Sequence, residues 1–280
     1  MVTSIIEPRI RVYGDLEQGT EEWFAVRRGM VTASVVGSLV TVGAPDALTV
    51  ICPTCGALTG ESCVSVARKV PTPIKTIHDL RAASASTLPP TINVAENETS
   101  RTLTALLVAE RITGWTDPNY VSDDMMRGRM DEGLARDLYT KTYAPVSEVG
   151  FIVRTVEGVE LGYSPDGLVG DDGLIEVKSR RAKKHIATIL ADAVPAENMA
   201  QIQSGLLTTS RAWCDYLSYC GGLPMWRKRV YPDPAWQAAI IAAVQAFEES
   251  AALMTASYYA AVEGLPTTER ISYDFDDIEV

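Results

Sequence analysis

Two short strand-like segments with acidic residues at their ends constrain the centre of this 280-residue chain. Residues 159–164 and 174–178 have the apolar, β-branched character of strands, and the stretch between them is rich in glycine and aspartate, which is typical of a turn. Pairing these strands as neighbours would bring Asp166 and Glu176 to a common end of a sheet. Because successive side chains of a strand alternate between faces, Glu176 and Lys178 share one face. We therefore expect two acids and one lysine in one small site.

This set of side chains suits the metal-assisted hydrolysis of a phosphodiester. Asp166 and Glu176 can hold Mg²⁺ through oxygen atoms, with water molecules completing the octahedron. Lys178 can orient or deprotonate the attacking water, or stabilise the charge that develops on the phosphate. A surface hairpin with an ion pair is the competing interpretation, since short spacings of this kind arise by chance. The spacing alone therefore indicates a nuclease without establishing one.

Length and composition favour one large domain or two small ones. Apolar residues make up 46% of the chain, enough for a sizeable core, and mean hydropathy is near zero. We expect no apolar run that approaches the ~20 residues of a membrane span. Residues 1–11 lack the basic and apolar regions of a secretion signal, so a reducing cytoplasm is expected. The net charge of −11 argues against coating nucleic acid by bulk electrostatics, although a local basic channel is compatible with it.

The order of helical and strand-like patterns predicts an α/β (α+β) fold, with a mixed central sheet flanked by helices. Helical patterns repeat apolar residues at three and four positions, whereas the strand patterns are short and bounded by turn residues. Helices are expected at residues 21–28, 32–40, 100–113, 122–143, 196–209 and 234–262, and strands at residues 149–155, 159–164, 173–178, 213–219 and 226–231.

Residues 44–95 differ in character from the rest of the chain. They hold three of the five cysteines, several prolines and little periodicity, which is typical of an inserted module. We therefore divide the chain into four parts. They are the N-terminal part of a main domain at 1–43, the inserted module at 44–95, the core of the main domain at 96–265 and an acidic tail at 266–280.

The module contains a pattern typical of structural zinc. Cys52-Pro-Thr-Cys55-Gly is half of such a site, Cys63 is the expected third ligand, and His78 is the expected fourth. The segment has too few large apolar residues for a core of its own, so metal would replace hydrophobic burial. A disulfide is the first alternative, but it would leave one cysteine over and fits a reducing compartment poorly. Unliganded thiols are the second alternative.

Basic residues of the module raise the question of DNA contact. Arg68, Lys69, Lys75 and Arg81 outnumber its acids. The module could therefore touch DNA, or it could serve only as a folding brace. Other basic runs lie at 27–28, 178–184 and 227–229, each of which is compatible with a solvated face.

Four motifs lie in order along the chain outside the module. They are Gln18-Gly-Thr-Glu-Glu-Trp23 leading into Arg27-Arg-Gly-Met-Val-Thr-Ala-Ser34, then Gly128-Arg-Met-Asp-Glu132, then Ser164-Pro-Asp-Gly167 with Glu176-Val-Lys178, and finally Met199-Ala-Gln-Ile-Gln203. In this order they resemble the motifs of the lambda-exonuclease-like viral recombinase family, also called the YqaJ type. The resemblance implies a restriction-endonuclease-like core of the PD-(D/E)xK superfamily. Members commonly lack a zinc module at this point, so the resemblance gives the module no role.

The resemblance implies a role for each residue of the metal site. Asp166 and Glu176 would bind the divalent metals, Mg²⁺ or Mn²⁺, with help from the main-chain carbonyl of Val177. Lys178 would serve the attacking water. These roles agree with those that the residue types alone suggest.

Five further residues gain expected roles from the same resemblance. Glu132 would position water or a second metal, and Gln201 would complete the site. Arg27, Ser34 and Ser164 match positions that hold the 5′-phosphate of a DNA end. An arginine fork and two hydroxyl groups suit a terminal phosphate.

The resemblance implies a Mg²⁺-dependent exonuclease that acts 5′→3′ on ends of linear double-stranded DNA. It would leave 3′ overhangs for a single-strand annealing protein in phage or prophage recombination, in the host cytoplasm. The main alternative is an endonuclease or single-strand-specific nuclease that uses the zinc module for recognition. A non-catalytic, zinc-containing DNA-binding protein is a third possibility. A trimeric ring is known in the family, and the acidic charge neither supports nor forbids one here.

Overall fold

The computed structural model describes residues 9–67, 70–117 and 122–271. Within those ranges the chain forms seven α-helices and ten β-strands, with two short 3₁₀ turns. The helices are α1 (Glu21–Arg27), α2 (Asp79–Ala85), α3 (Glu98–Thr113), α4 (Asp123–Thr142), α5 (Ala182–Ala191), α6 (Ala196–Thr209) and α7 (Pro234–Ala261). The strands are β1 (Arg9–Tyr13), β2 (Val40–Gly43), β3 (Thr91–Val94), β4 (Val146–Ser147), β5 (Phe151–Val156), β6 (Val159–Tyr163), β7 (Gly167–Val169), β8 (Gly173–Ser179), β9 (Trp213–Tyr219) and β10 (Trp226–Val230).

The central sheet has five strands in the order β10-β9-β8-β7-β4. Strands β8 and β9 are parallel, and the other neighbours are antiparallel, so the sheet is mixed. Helix α4 packs on the face that carries Ile175 and Val177, and α6 packs on the face that carries Leu174 and Tyr216. A second sheet has the order β1-β5-β6. The predicted class, a mixed sheet flanked by helices, is confirmed.

The strands on either side of Asp166 do not pair with each other, so that part of the sequence prediction is wrong. Strand β6 belongs to the three-stranded sheet, and β8 belongs to the five-stranded sheet. The three-residue strand β7 intervenes and pairs with β8, with Gly167 opposite Ile175. A Cβ atom at Gly167 would collide with Val146 of the neighbouring strand, so glycine is needed at this position. Asp166 therefore reaches β8 because it immediately precedes β7.

Most of the predicted helices and strands are present within a few residues of their expected bounds. Two long helices begin at side-chain caps. Asn97 and Ser100 form a reciprocal capping box at the start of α3, and the Ser122 hydroxyl accepts from Met125 N–H at the start of α4. The Ser122 cap fixes where the helix that carries Glu132 begins.

The predicted helix over residues 32–40 is wrong. A turn that begins at Thr32 leads into a single 3₁₀ turn, Val36–Leu39, before the chain enters β2. The segment is rich in β-branched valine, which disfavours a helix. In addition, the Ala33 N–H group donates to the Gly162 carbonyl of β6 at 2.8 Å, which ties the segment to a strand instead.

Seven elements were not predicted, namely α2, α5, β1, β2, β3, β4 and β7. Strands of two or three residues such as β4 and β7 carry too little periodicity to be recognised. The first turn of helix α5 overlaps the segment 178–184, which was interpreted as a basic run.

Helix α7 is long and apolar enough, by length and composition, to cross a membrane. The prediction that no apolar run approaches the length of a membrane span therefore does not hold for α7. The helix packs against α3, α6 and β3, and Trp236, Ile240, Val244 and Phe247 are buried in the largest apolar cluster of the described residues. These contacts are those of a core helix.

The inserted module leaves the main domain and returns to it through a pair of strands. Strand β2 pairs antiparallel with β3, with Gly43 opposite Thr91 and Val40 opposite Val94. The ends of the segment at 44–90 are therefore held close together, as expected of an insertion. The domain boundaries at 43 and 95 remain a proposal. The acidic tail predicted at 266–280 lies outside the described residues from 272 onward.

Candidate active site and zinc cluster

Glu176 and Lys178 form a close ion pair on one face of β8. The Nζ atom of Lys178 lies 2.6 Å from Oε1 of Glu176 and 3.0 Å from Oε1 of Gln201 on α6. Glu176 is fully buried, and its second oxygen accepts a hydrogen bond from the Tyr163 hydroxyl at 3.0 Å. Val177 points to the opposite face and packs in the apolar cluster beneath α4. The alternation that the sequence predicts for this strand is confirmed.

Asp166 lies against β8 from the neighbouring segment. Its Oδ2 atom accepts the main-chain N–H group of Val177 at 2.6 Å. Because the N–H and C=O groups of one strand residue point to the same side, the Val177 carbonyl faces the edge at which Asp166 lies. The structure thus brings Asp166 beside the Glu176-Val177-Lys178 segment. Asp166 and the Val177 carbonyl thus lie at the edge of the strand, next to the face from which Glu176 and Lys178 project.

The electrostatics of the site are dominated by its acids. Burial, followed by the charges of Glu176 and Glu132, raises the pKa of Asp166 well above its ordinary value. Burial by itself would lower the pKa of Lys178, but Glu176 and Asp166 outweigh burial, and the pKa is raised. Lys178 is therefore protonated at neutral pH. The negative charge around Asp166 is only partly offset by protein groups.

Glu132 projects from α4 and is paired with Arg136, one helical turn later. The Nη1 atom of Arg136 lies 2.9 Å from Oε1 of Glu132 and 2.8 Å from the main-chain oxygen of Asp166. Burial raises the pKa of Glu132, Arg136 offsets part of that effect, and Glu176 adds to it. Glu132 therefore lies within electrostatic reach of Glu176, and its helix is tied directly to the Asp166 segment.

Two residues expected to hold a 5′-phosphate, Arg27 and Ser34, are connected through Thr32. Nη2 of Arg27 lies 3.5 Å from Oγ1 of Thr32, and the hydroxyl oxygens of Thr32 and Ser34 are 3.0 Å apart. The Arg27 guanidinium also stacks on the ring of Trp23 at 3.9 Å. Burial lowers the pKa of Arg27, and the Glu110 carboxylate opposes that effect. Trp23 is itself buried, as expected of a core anchor.

The third expected phosphate ligand, Ser164, follows β6, to which the Thr32 segment is joined. Thr32 forms a parallel bridge with Gly162, so the turn that holds Ser34 lies beside the end of β6. The Ser164 hydroxyl donates to the Gly150 carbonyl at 2.7 Å. The Ser164 hydroxyl is thus already donating a hydrogen bond within the protein, and it must rotate before it can donate to a phosphate.

A cleft of about 600 Å³ opens beside these groups. Glu132 and Arg136 line it from α4, and Ser164 lines it from the segment after β6. The cleft therefore connects the helix of Glu132 with the chain that leads to Asp166. Its other lining residues are 14–18, Arg129, 148–150 and Pro165.

The four predicted zinc ligands come together in the module. The three cysteine sulfurs and a ring nitrogen of His78 all lie within 4.8 Å of one another. Nδ1 of His78 is 3.3 Å from Sγ of Cys52, which in turn is 3.7 Å from Sγ of Cys63. The main-chain N–H of Val64 lowers the pKa of Cys55 to about 6, which favours the thiolate that metals bind. Three thiolates and one imidazole are a typical tetrahedral set for structural zinc.

Arg81 is buried within the module, although its charge suggested an exposed position. It is fully buried, and its guanidinium donates to the main-chain carbonyls of Val50, Leu58 and Glu61 at 3.0, 2.9 and 2.7 Å. It also lies 3.5 Å from Sγ of Cys63. The suggestion that Arg81 touches DNA is therefore wrong, because its donors hold the module together. Arg68 and Lys69 lie outside the described residues.

The donor sets of the two sites fit different metals. Asp166, Glu176 and the Val177 carbonyl offer only oxygen atoms, which Mg²⁺ and Mn²⁺ prefer. Burial, followed by the charges of Glu176 and Glu132, raises the pKa of Asp166, and a divalent cation would offset the charge of these carboxylates. The sulfur-rich set of the module suits Zn²⁺ instead.

Three residues of the candidate site were not predicted, namely Arg136, Tyr163 and Thr32. The four-residue spacing between Glu132 and Arg136 on a predicted helix was an available signal for the first. No spacing signal marks Tyr163, because its contact with the buried acid depends on how two sheets meet. Thr32 stands within a recognised motif, but its position depends on the bridge to Gly162.

Comparisons with known proteins agree with this architecture. The YqaJ-like viral recombinase domain matches residues 77–212, and a phage zinc finger domain described as DNA-binding matches residues 18–96. A crystal structure of an alkaline exonuclease, LHK-Exo from Laribacter hongkongensis, is 28% identical with a TM-score of 0.62, covering 88% of this chain and 100% of its own. The structure of LHK-Exo in complex with dAMP matches equally well. No match was found among curated proteins.

Fold and site together are those of a nuclease, with an acid–acid–lysine cluster at the central strand β8 of a mixed sheet. Residues 77–212 match the YqaJ-like viral recombinase domain, as the motifs indicated, and this match together with the similarity to an alkaline exonuclease supports a deoxyribonuclease. The phage zinc finger match spans all four residues of the Cys₃His cluster.

Proposed function

We propose that this protein is a Mg²⁺-dependent exonuclease that degrades one strand of linear double-stranded DNA in the 5′→3′ direction. The observation that carries the proposal is that Asp166 bonds the main chain of β8 at Val177, between the ion-paired Glu176 and Lys178 of the same strand. The similarity to an alkaline exonuclease over 88% of this chain favours action at DNA ends over internal cleavage.

The residues of the metal site divide the work of hydrolysis. Mg²⁺ held by Asp166, Glu176 and the Val177 carbonyl would activate water and polarise the scissile phosphate for in-line attack. Lys178, as a cation, orients that water and stabilises the negative charge that develops on the phosphate. Gln201 fixes the ammonium group through the 3.0 Å hydrogen bond from Nζ. Mn²⁺ could replace Mg²⁺, since both prefer oxygen ligands.

A second group of residues would select the DNA end. Arg27 and Ser34, with Ser164, would hold a terminal 5′-phosphate through charge-assisted hydrogen bonds. Glu132 would position water or a second metal on the opposite side of the cleft. An enzyme that holds the end of one strand can remove nucleotides from that strand in succession.

Zinc in the module would act structurally. Cys52, Cys55, Cys63 and His78 form a closed set of four ligands, which leaves no coordination position for a substrate. The match to a zinc finger domain described as DNA-binding supports a contribution to DNA binding. The buried Arg81 would stabilise the module and leave such contacts to other residues.

The match to a viral recombinase domain supports a role in phage-type recombination. The 3′ overhangs would pass to a single-strand annealing protein during phage-type recombination in the host cytoplasm. A homotrimeric ring around DNA is a further expectation from the family resemblance.

Two labelled substrates test the direction of degradation. Linear 5′-phosphorylated duplexes carrying a fluorophore at either the 5′ or the 3′ end of one strand are incubated with the protein and Mg²⁺. Early release of the 5′ label as a mononucleotide, with the 3′ label retained on long products, supports the proposal. Early release of the 3′ label contradicts the direction.

A covalently closed circle tests the requirement for an end. The proposal predicts that the circle remains intact while a linear duplex of the same sequence is degraded. Cleavage of the circle would favour an endonuclease. Failure to cleave either substrate with Mg²⁺ or Mn²⁺ would favour a non-catalytic DNA-binding protein.

A further inference from the structure

Arg136 contacts three separate parts of the candidate site. Nη1 lies 2.9 Å from Oε1 of Glu132 and 2.8 Å from the main-chain oxygen of Asp166. Nη2 lies 3.0 Å from Oε2 of Glu148, and the Arg136 side chain is only 18% exposed. Both terminal nitrogens are thus engaged by protein oxygens. A guanidinium used in this way is not free to grip a DNA phosphate.

The position of Arg136 is fixed by the helix that carries it. Ala135 and Tyr139 of α4 are buried against Val177 and Ile175 of the central sheet, which sets the rotation of the helix. With that rotation, the four-residue spacing puts Glu132 and Arg136 on one side of α4, facing the cleft. The guanidinium therefore projects from a rigid element.

The segment that Arg136 reaches is held at several points. The Ser164 hydroxyl donates to the Gly150 carbonyl at 2.7 Å, and the Asp166 carboxylate accepts the Val177 N–H group at 2.6 Å. Arg136 donates a further hydrogen bond to the main-chain oxygen of Asp166, which lies between these two points of attachment. Without it, the backbone that orients the Asp166 carboxylate would lose its link to α4.

The chemistry of the contact calls for an arginine. Nη1 carries two N–H groups at fixed angles in the guanidinium plane, so this one nitrogen serves the Glu132 carboxylate and the Asp166 carbonyl, whereas a lysine ammonium is a rotatable point charge on a flexible stem. The ion pair between Arg136 and Glu148 contributes less to the position of Arg136. The Glu148 carboxylate is 72% exposed, and exposed ion pairs contribute little. The contacts that matter are those to Glu132 and Asp166.

We infer that Arg136 is a positioning residue that holds Glu132 and the Asp166 segment in the arrangement that binds the catalytic metal. The inference rests on the proposed function, because that proposal assigns the metal to Asp166. Partners of metal-binding carboxylates orient the ligands, and losing such a partner weakens metal binding even where the ligands themselves remain.

The experiment compares Arg136→Gln and Arg136→Lys with the unchanged protein, all as zinc-loaded full-length chains. Lys141→Gln is the matched control, since Lys141 lies exposed on the same helix and its loss changes the net charge equally. Mn²⁺ affinity is measured by calorimetry, with Asp166→Asn to identify binding at this site. The Mg²⁺ concentration for half-maximal DNA degradation, kcat, KM for DNA and the thermal midpoint are measured in parallel.

We expect Arg136→Gln to weaken Mn²⁺ affinity and to lower kcat by about tenfold to hundredfold each. KM for DNA should stay within about twofold, because Arg136 holds protein groups and not the substrate. Arg136→Lys should recover only part of the loss, and Lys141→Gln should match the unchanged protein. A higher Mg²⁺ requirement for Arg136→Gln would support the same conclusion.

Two results would overturn the inference. One is unchanged Mn²⁺ affinity in folded Arg136→Gln, since a merely structural residue would lower only the thermal midpoint. The other is Mn²⁺ binding that does not depend on Asp166. If the unchanged protein binds Mn²⁺ through Asp166 but degrades no DNA, the proposed function fails while the affinity comparison still decides the role of Arg136.

Discussion

The ammonium group of Lys178 lies 2.6 Å from the carboxylate of the fully buried Glu176, on the same face of one strand. Since Glu176 and Asp166 together raise the pKa of Lys178 despite its burial, the lysine is a cation at neutral pH. Removing a proton from water requires a neutral amine, whereas orienting water and stabilising phosphate charge require the cation. The ion pair with Glu176 and the hydrogen bond to Gln201 hold the ammonium group in place for tasks of the second kind.

Replacement of Lys178 by Gln should therefore abolish most of the catalytic rate without abolishing DNA binding. We expect kcat to fall by about a hundredfold to a thousandfold, a loss typical for removal of one group that stabilises transition-state charge. Lys183→Gln, an exposed lysine on α5, is the control and should keep the full rate. Single-turnover degradation of a linear duplex measures the effect. Full activity of Lys178→Gln would contradict the role of this residue.

Replacement of Arg27 by Gln should reduce the preference for a phosphorylated DNA end. A charge-assisted hydrogen bond to the phosphate contributes about 1.5–3 kcal/mol, so the ratio of rates on 5′-phosphate and 5′-hydroxyl duplexes should fall by about tenfold to hundredfold. Arg28→Gln is the matched control, because Arg28 pairs instead with the exposed Glu21. An unchanged ratio of rates in Arg27→Gln would show that Arg27 does not hold the terminal phosphate.

Replacement of Cys52 by Ser should release zinc. Metal analysis of the unchanged protein should find about one zinc per chain, and the variant should retain little, because the cluster supplies only four ligands. Cys220→Ser is the control, since Cys220 lies on the main domain outside the cluster. A Cys52→Ser protein that keeps its zinc would refute the ligand assignment.

The buried Asp215 predicts a pH-dependent contribution to stability. Burial would raise its pKa, but hydrogen bonds from Arg229, Tyr139 and Arg227 outweigh burial and hold the pKa below its ordinary value. A depressed pKa contributes stability that is present above the unfolded-state value of about 3.9 and is lost as pH falls through the folded-state value. Asp215→Asn should therefore be destabilised at pH 7.

The free energy of unfolding at pH 7 should fall by about 2–3 kcal/mol in Asp215→Asn. This loss is below the full cost of an unpaired buried charge, because Arg227 and Arg229 are partly exposed. Denaturant unfolding at pH 7 and at pH values below about 4 measures it. The difference between the unchanged protein and Asp215→Asn should shrink on acidification. A difference that stays constant with pH would show that the ionised carboxylate is not its source.

The sequence was informative where the argument needed only local periodicity. The two-residue alternation put Glu176 and Lys178 on one face, and the spacing of cysteines selected the ligands that the structure brings together. The helix of Glu132 was also predictable, because its cap and its length are encoded locally.

The sequence was less informative where tertiary contacts decide the outcome. Asp166 does approach Glu176, but through β7, which is too short to carry a periodic pattern. The charge of Arg81 suggested a surface residue, yet the carbonyls that surround it come from distant positions in the module. The burial of a charge depends on partners that no local pattern reveals.

The most direct test of the central claim is the release of mononucleotides from a linear duplex with Mg²⁺ by the unchanged protein and by Asp166→Asn. Asp171→Asn is the matched control, because Asp171 is an exposed acid in the turn between β7 and β8. The account predicts release by the unchanged protein and by Asp171→Asn, and none above background by folded Asp166→Asn. Release by Asp166→Asn at the unchanged rate would contradict the assignment of this site as the nuclease centre.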